Sequence, residues 1–184
     1  MKYDRRKFIK SLSLAYGGAL LAPAACTSFI SRYRVFTDAE ADCLIALCEQ
    51  IIPADEDPGA TDAEVINFID KQTSLRFPED LSVYQQGVAS LQASCNAQYG
   101  KPFEKLDASL QIEVMQMMER NRLPEEHWTE EVSQSAFFRL TLRRAMQGFY
   151  GAPRHGGNKN YVSYRMMKLD YPLLIGQNRY KYGT

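Results

Sequence analysis

Two histidines, four cysteines and one tight acidic cluster are the first places to look for chemistry in this chain of 184 residues. His155 lies in "GFYGAPRHGGN" (148–158), beside Arg154 and among four glycines. Its imidazole could serve as a general base and Arg154 could hold an anion, but a base needs an orienting acid. The sequence around it supplies none. A dinucleotide fingerprint follows a strand and opens a helix, whereas Gly148 and Gly151 follow a helical pattern and none begins after Gly156-Gly157. Lys159 lacks the glycine frame of a phosphate loop. A zinc site needs three or four ligands, and neither His127 nor His155 belongs to an H-x-x-x-H motif. C-x-x-C-H, the attachment motif of covalent haem, is absent, and Met115, Met117 and Met118 read as core. Asp55, Glu56 and Asp57 in "PADEDPG" lack calcium-loop spacing and read as a solvated turn. No G-x-S-x-G nucleophile elbow occurs. These readings predict no catalytic, cofactor-binding or metal site in this chain.

The elements that must position these residues are helical. Thr37 and Glu40 form a capping box, Leu44, Leu47, Cys48 and Ile51 recur at helical spacing, and Pro53 stops the run. A second helix is predicted from Thr61 or Asp62 to Leu75, with Val65, Ile66 and Ile69 as its apolar stripe. A third runs from Pro78 to Tyr99 through Leu81, Tyr84, Val88, Leu91 and Cys95, ending at Gly100. A fourth starts at Asp107 and carries Leu110, Val114, Met117 and Met118. The fifth, from about Glu130 to Gln147, is apolar around most of its circumference, which predicts a helix that is central or covered on two sides. Arg139, Arg143 and Arg144 interrupt it, and any that is buried needs a partner. Gly148 reads as its C-cap. With no alternating strands and no repeat, the fold class is all-α. It is a small bundle of about five helices over 37–184, with a long irregular C-terminal extension from 148.

The N-terminus reads as an address. Residues 1–25 place Lys2, Arg5, Arg6, Lys7 and Lys10 ahead of a short, mild apolar run and small residues, the order of an export signal. Arg5, Arg6 and Phe8 match the twin-arginine pattern R-R-x-F-[LI]-K. The apolar run is too short to span a bilayer. Ala22-Pro23-Ala24 resembles a cleavage site, while Ala24-Ala25-Cys26 resembles the end of a lipobox with Cys26 as the lipidation candidate; both outcomes stay open. Residues 26–36 form a linker. A periplasmic destination follows, with the membrane reached through a lipid anchor or a partner. Cys43 and Cys48 lie about 140° apart on one helix and should not bond to each other. Pairing of one of them with Cys95, or burial of all three as apolar thiols, are both open.

The formal net charge is zero, yet it is unevenly spread. Residues 26–138 hold 8 basic and 20 acidic side chains, and residues 139–184 hold 9 basic ones against Asp170 alone. The acidic body argues against nucleic-acid binding. Residues 149–184 contain seven aromatics, Phe149, Tyr150, Tyr161, Tyr164, Tyr171, Tyr180 and Tyr182. Tyrosine and arginine are enriched at interface hot spots, so a docking surface and a self-packing extension compete as explanations.

Two segments carry a family likeness. "FTDAEADCLIALCEQIIPADEDPGATDAEVINFID" (36–70) resembles the N-terminal signature of the gluconate 2-dehydrogenase subunit 3 family, and "FFRLTLRRAMQGFYGAPRHGGNKNYVSYRMMKLDYP" (137–172) resembles its C-terminal one. The resemblance implies a non-catalytic small subunit of an exported, FAD-dependent sugar or sugar-acid dehydrogenase. The flavin would sit in a large glucose-methanol-choline-type flavoprotein partner, and a multihaem cytochrome c is a further partner in such complexes. The small subunit would stabilise its partner and escort it through twin-arginine export. Gly148, Phe149, Tyr150, Gly151, Pro153, Arg154, Gly156, Gly157 and Asn158 are then the partner-docking candidates. The rival expectations are a stand-alone periplasmic lipoprotein and a small enzyme built on His155 and Arg154.

Overall fold

The computed structural model describes residues 31–169. The export-signal residues Arg5, Arg6 and Phe8, the lipidation candidate Cys26, and Tyr171, Tyr180 and Tyr182 lie outside the described residues. Six α-helices occur among the described residues: α1 Asp38–Ile51, α2 Val65–Leu75, α3 Asp80–Tyr99, α4 Ala108–Glu119, α5 Gln134–Tyr150 and the short α6 Val162–Met166. No strand occurs among the described residues, so the fold is the predicted helical bundle with a C-terminal extension.

Local chemistry starts and stops most of these helices. Thr37 Oγ1 accepts from Glu40 N at 3.2 Å and Glu40 Oε2 accepts from Thr37 N at 2.8 Å, the reciprocal capping box. Asp107 caps α4 through Leu110 N at 3.0 Å. Ser133 caps α5 through Ala136 N at 3.2 Å. Gly100 ends α3 at φ 67, in the left-handed region. Two starts differ from the sequence expectation. Residues 61–64 form turns, because Glu64 at φ 49 takes a left-handed conformation and α2 begins only at Val65. Thr129 Oγ1 accepts from Val132 N at 3.2 Å and holds the approach to α5 as a turn, so this helix begins at Gln134.

The end of α5 also differs, and this bears on the site. The helix continues to Tyr150 and Gly151 is its C-cap, so Gly148 is an interior helical residue rather than the cap. A Cβ at Gly148 would lie 3.1 Å from Phe68 Cβ on α2. Its absence lets α2 and α5 approach closely, a tertiary demand that imitates a cap in the sequence.

Helix α5 occupies the middle of the bundle and packs on α1, α2, α3 and α4. An aromatic column crosses it: Phe36 meets Tyr84 edge-on at 5.5 Å, and Tyr84 meets Phe137 edge-on at 6.3 Å. Such pairs add about 0.5–1.5 kcal/mol each beyond burial. Arg144 is the arginine of α5 that is buried, and it has its partner. Its Nη2 lies 2.7 Å from Asp80 Oδ2, its Nη1 donates to Gln147 Oε1 at 3.0 Å, and its guanidinium lies 3.7 Å from the Phe77 ring centre. At the front of the domain the buried Asp70 carboxylate accepts from Arg34 N at 2.9 Å and Val35 N at 3.0 Å, pinning the segment before α1 to α2.

Cys43, Cys48 and Cys95 are all buried and free. Burial pushes the Cys48 and Cys95 thiols up to about 12 and raises Cys43 well above its ordinary value. They behave as apolar core groups, and no disulfide joins them.

Candidate functional site

The glycine-rich loop after α5 is a packed wedge. Beyond Tyr150 the chain makes a turn at Pro153–His155, doubles back at Gly156 and enters α6 through Lys159–Tyr161. Its inner surface lies on α2. Lys71 Nζ donates to Arg154 O at 2.6 Å, Gln72 Nε2 donates to His155 O at 3.4 Å, and Lys159 N donates to Ala63 O at 3.1 Å. The Lys159 ammonium also pairs with Glu64, the left-handed residue that starts α2. Loop and helix start therefore fix one another.

Asn158 holds the loop closed. It is fully buried, its Nδ2 donates to Gly151 O at 2.8 Å, and its Oδ1 accepts from Ser163 N at 2.9 Å. One side chain thus ties the cap of α5 to α6. Asn158 sits at φ 47, a region asparagine tolerates better than most residues. Gly156 and Gly157 are required by close approach. Gly156 has φ +115, and a Cβ there would lie 2.7 Å from Asn67 O. A Cβ at Gly157 would lie 2.8 Å from the Gly148 carbonyl carbon and 3.0 Å from its Cα, inside ordinary contact distance to main chain that cannot swing away.

The nine docking candidates from the sequence divide into two groups. Gly148, Phe149, Gly157 and Asn158 are buried, and Gly151, Pro153 and Gly156 are half-buried. They shape the wedge. Tyr150, 39% exposed, and the exposed Arg154 are the two that present side chains to the outside. The Tyr150 ring is held edge-on against Phe149 at 4.8 Å. Tyr164 is also buried, so part of the C-terminal aromatic content is self-packing. Sequence reading missed Lys71, Glu64 and Asn67, whose contacts come from far along the chain. The left-handed tolerance of asparagine was the signal that could have singled out Asn158.

His155 is exposed, and its Nε2 accepts from Arg154 Nε at 3.1 Å. No carboxylate bonds to its ring among the described residues. In the acidic turn and the helix end before it, two carboxylates bond to local backbone. Glu49 accepts from Ala54 N and Thr61 N at 2.9 Å each, and Asp55 accepts from Asp57 N at 2.8 Å. No group of three His, Cys, Asp or Glu residues is placed to hold a metal among the described residues. A concavity of about 360 Å³ between the 31–36 segment, α1 and α2 is lined by Arg32, Tyr33, Cys48, Thr61, Glu64 and Asn67. Its one thiol, Cys48, is buried, and burial pushes it up to about 12. No helix among the described residues is long and apolar enough to cross a membrane.

The described residues thus form a helical domain whose signature loop is packed on its second helix, with Tyr150 and Arg154 turned outward. Residues 38–170 match the model of the family described as gluconate 2-dehydrogenase subunit 3, and the chain belongs to that family. Members are accessory subunits of a dehydrogenase complex. No curated protein and no solved structure matches the chain.

Proposed function

We propose that this chain is the exported small subunit of an FAD-dependent sugar or sugar-acid dehydrogenase. It stabilises a glucose-methanol-choline-type flavoprotein and escorts it through the twin-arginine route to the periplasm. There the complex is held at the membrane by the flavoprotein's assembly or by a lipid on Cys26. The flavin belongs to the large subunit, and a multihaem cytochrome c is the electron acceptor.

The observation that carries this reading is the wedge itself. Four of its residues are spent inside the domain, and Tyr150 and Arg154 face outward on a rigid support. A preorganised tyrosine–arginine pair suits binding, because little side-chain freedom is lost on contact. The test is fractionation of cells producing the chain and its flavoprotein together. Arg5→Lys with Arg6→Lys should leave both proteins in the cytoplasm, and deleting the chain should strand the flavoprotein there. A flavoprotein that reaches the periplasm without this chain, or purified chain that carries stoichiometric flavin, overturns the proposal.

A further inference from the structure

Helix α5 is central to the bundle, yet one arc of it is open. Ala136, Arg139, Leu142, Arg143, Met146, Gln147 and Tyr150 are exposed. At 100° per residue they occupy one arc of about 140°. Within it Leu142, Met146 and Tyr150 are 36%, 42% and 39% exposed. They succeed one another at intervals of four and form a ridge about 12 Å long. At its N-terminal end the half-buried Phe138 borders an apolar notch of about 150 Å³ shared with Ile112 and Met115 of α4. At its C-terminal end the ridge runs into the wedge through Tyr150.

The charges that α5 itself places on this arc are all of one sign, while Glu119 of α4 lines the notch at its end. Helix α5 contains no acidic residue. Arg144 is satisfied by Asp80, but Arg139 and Arg143 have no carboxylate partner among the described residues. They are unpaired although residues 26–138 carry 20 acidic side chains against 8 basic ones. Methionine, tyrosine and two guanidinia side by side on a well-supported helix, with an exposed leucine between them, match the residue types enriched at interfaces. The surface that complements them is apolar with carboxylates at its edge. A second copy of this arc would set arginine against arginine.

We infer that the outer arc of α5, from the Ile112–Phe138 notch to Tyr150, is the main contact for the large dehydrogenase subunit. It meets a carboxylate-rimmed apolar patch on that subunit. This rests on the accessory-subunit reading and extends it from the loop to a whole helix face. Arg139 and Arg143 steer and orient the encounter, while Leu142 and Met146 are buried by it.

The test titrates the purified flavoprotein subunit against purified wild-type and variant chains, with the fold checked by circular dichroism. Leu142→Asp with Met146→Asp should raise Kd about tenfold or more. Arg139→Glu with Arg143→Glu should slow association and remove most of its dependence on salt. Leu75→Asp alters an apolar residue 66% exposed at the end of α2, off the arc, and should change Kd by less than about twofold. If wild type binds the flavoprotein and the arc variants bind equally well, this inference falls and the accessory-subunit reading stands. If wild type does not bind the flavoprotein, both fall. Light scattering that shows a wild-type dimer broken by the arc variants, with flavoprotein binding unchanged, assigns the arc to a second copy and overturns the inference.

Discussion

Replacing Gly157 by alanine tests whether the signature loop is welded to the bundle. The new methyl would lie 2.8 Å from the Gly148 carbonyl carbon and 3.0 Å from Gly148 Cα. Both are backbone atoms of α5, so no rotamer change relieves the clash. The loop must lift instead, and three hydrogen bonds resist that: Asn158 Nδ2 to Gly151 O, Ser163 N to Asn158 Oδ1, and Lys159 N to Ala63 O. At about 1 kcal/mol each, their loss sets an upper limit of about 3 kcal/mol. Overpacking in a tight interior costs about 1–3 kcal/mol by itself, so the expected destabilisation is about 2–3 kcal/mol. For a domain of this size that lowers Tm by roughly 5–10 °C. The assay is urea unfolding followed by circular dichroism, with hydrogen exchange at the Lys159 and Ser163 amides as the local readout. Gly100→Ala is the comparison. Its φ is +67 and nothing lies within 4 Å of the added methyl, so it should cost only the left-handed penalty of about 1–2 kcal/mol and leave those two amides protected. A Gly157→Ala protein within about 0.5 kcal/mol of wild type, with unchanged exchange at Lys159 and Ser163, would refute the packed wedge.

Two further outcomes follow from the interior. Arg144→Ala strands the Asp80 carboxylate, whose side chain is 14% exposed, and should cost about 3–5 kcal/mol in urea unfolding, whereas Arg144→Met with Asp80→Leu should recover most of that loss. The Cys48 and Cys95 thiols, moved by burial from 9.0 to about 12, bind protons in the folded chain that the unfolded chain has released, so their stabilisation is present below about pH 9 and is lost as pH rises toward 12. The unfolding free energy should fall by about 1.4 kcal/mol per pH unit for each thiol across that window, Cys48→Ala should flatten the slope, and the native protein at neutral pH should leave Cys43, Cys48 and Cys95 unreacted with a thiol reagent until denaturant is added.

Where a helix boundary is set by residues within a turn of it, the sequence is a sufficient guide. Thr37 with Glu40, Asp107 and Gly100 act on their own backbone neighbours, and each does what its type predicts. Where a boundary is set from afar, local pattern misleads. Glu64 is left-handed beneath Lys159, 95 residues away, so a helix pattern that begins at Thr61 is overridden until Val65. Gly148 has the look of a cap because glycine usually ends helices, but here it answers to Phe68 on another helix.

The same distinction governs the site. Composition pointed to 148–158 without separating residues that build the loop from residues left exposed on it. That separation depends on burial, which leaves Tyr150 and Arg154 outward and Asn158 fully enclosed. For α5 the all-round apolar pattern was a true sign of centrality, yet it hid a different fact. A helix central to its own domain has no need of Leu142, Met146 and Tyr150 on its one open arc. Burial within the bundle accounts for Phe137, Leu140 and Ala145. The apolar residues left over are those that packing among the described residues does not explain, and they align with Arg139 and Arg143, which have no carboxylate partner among the described residues.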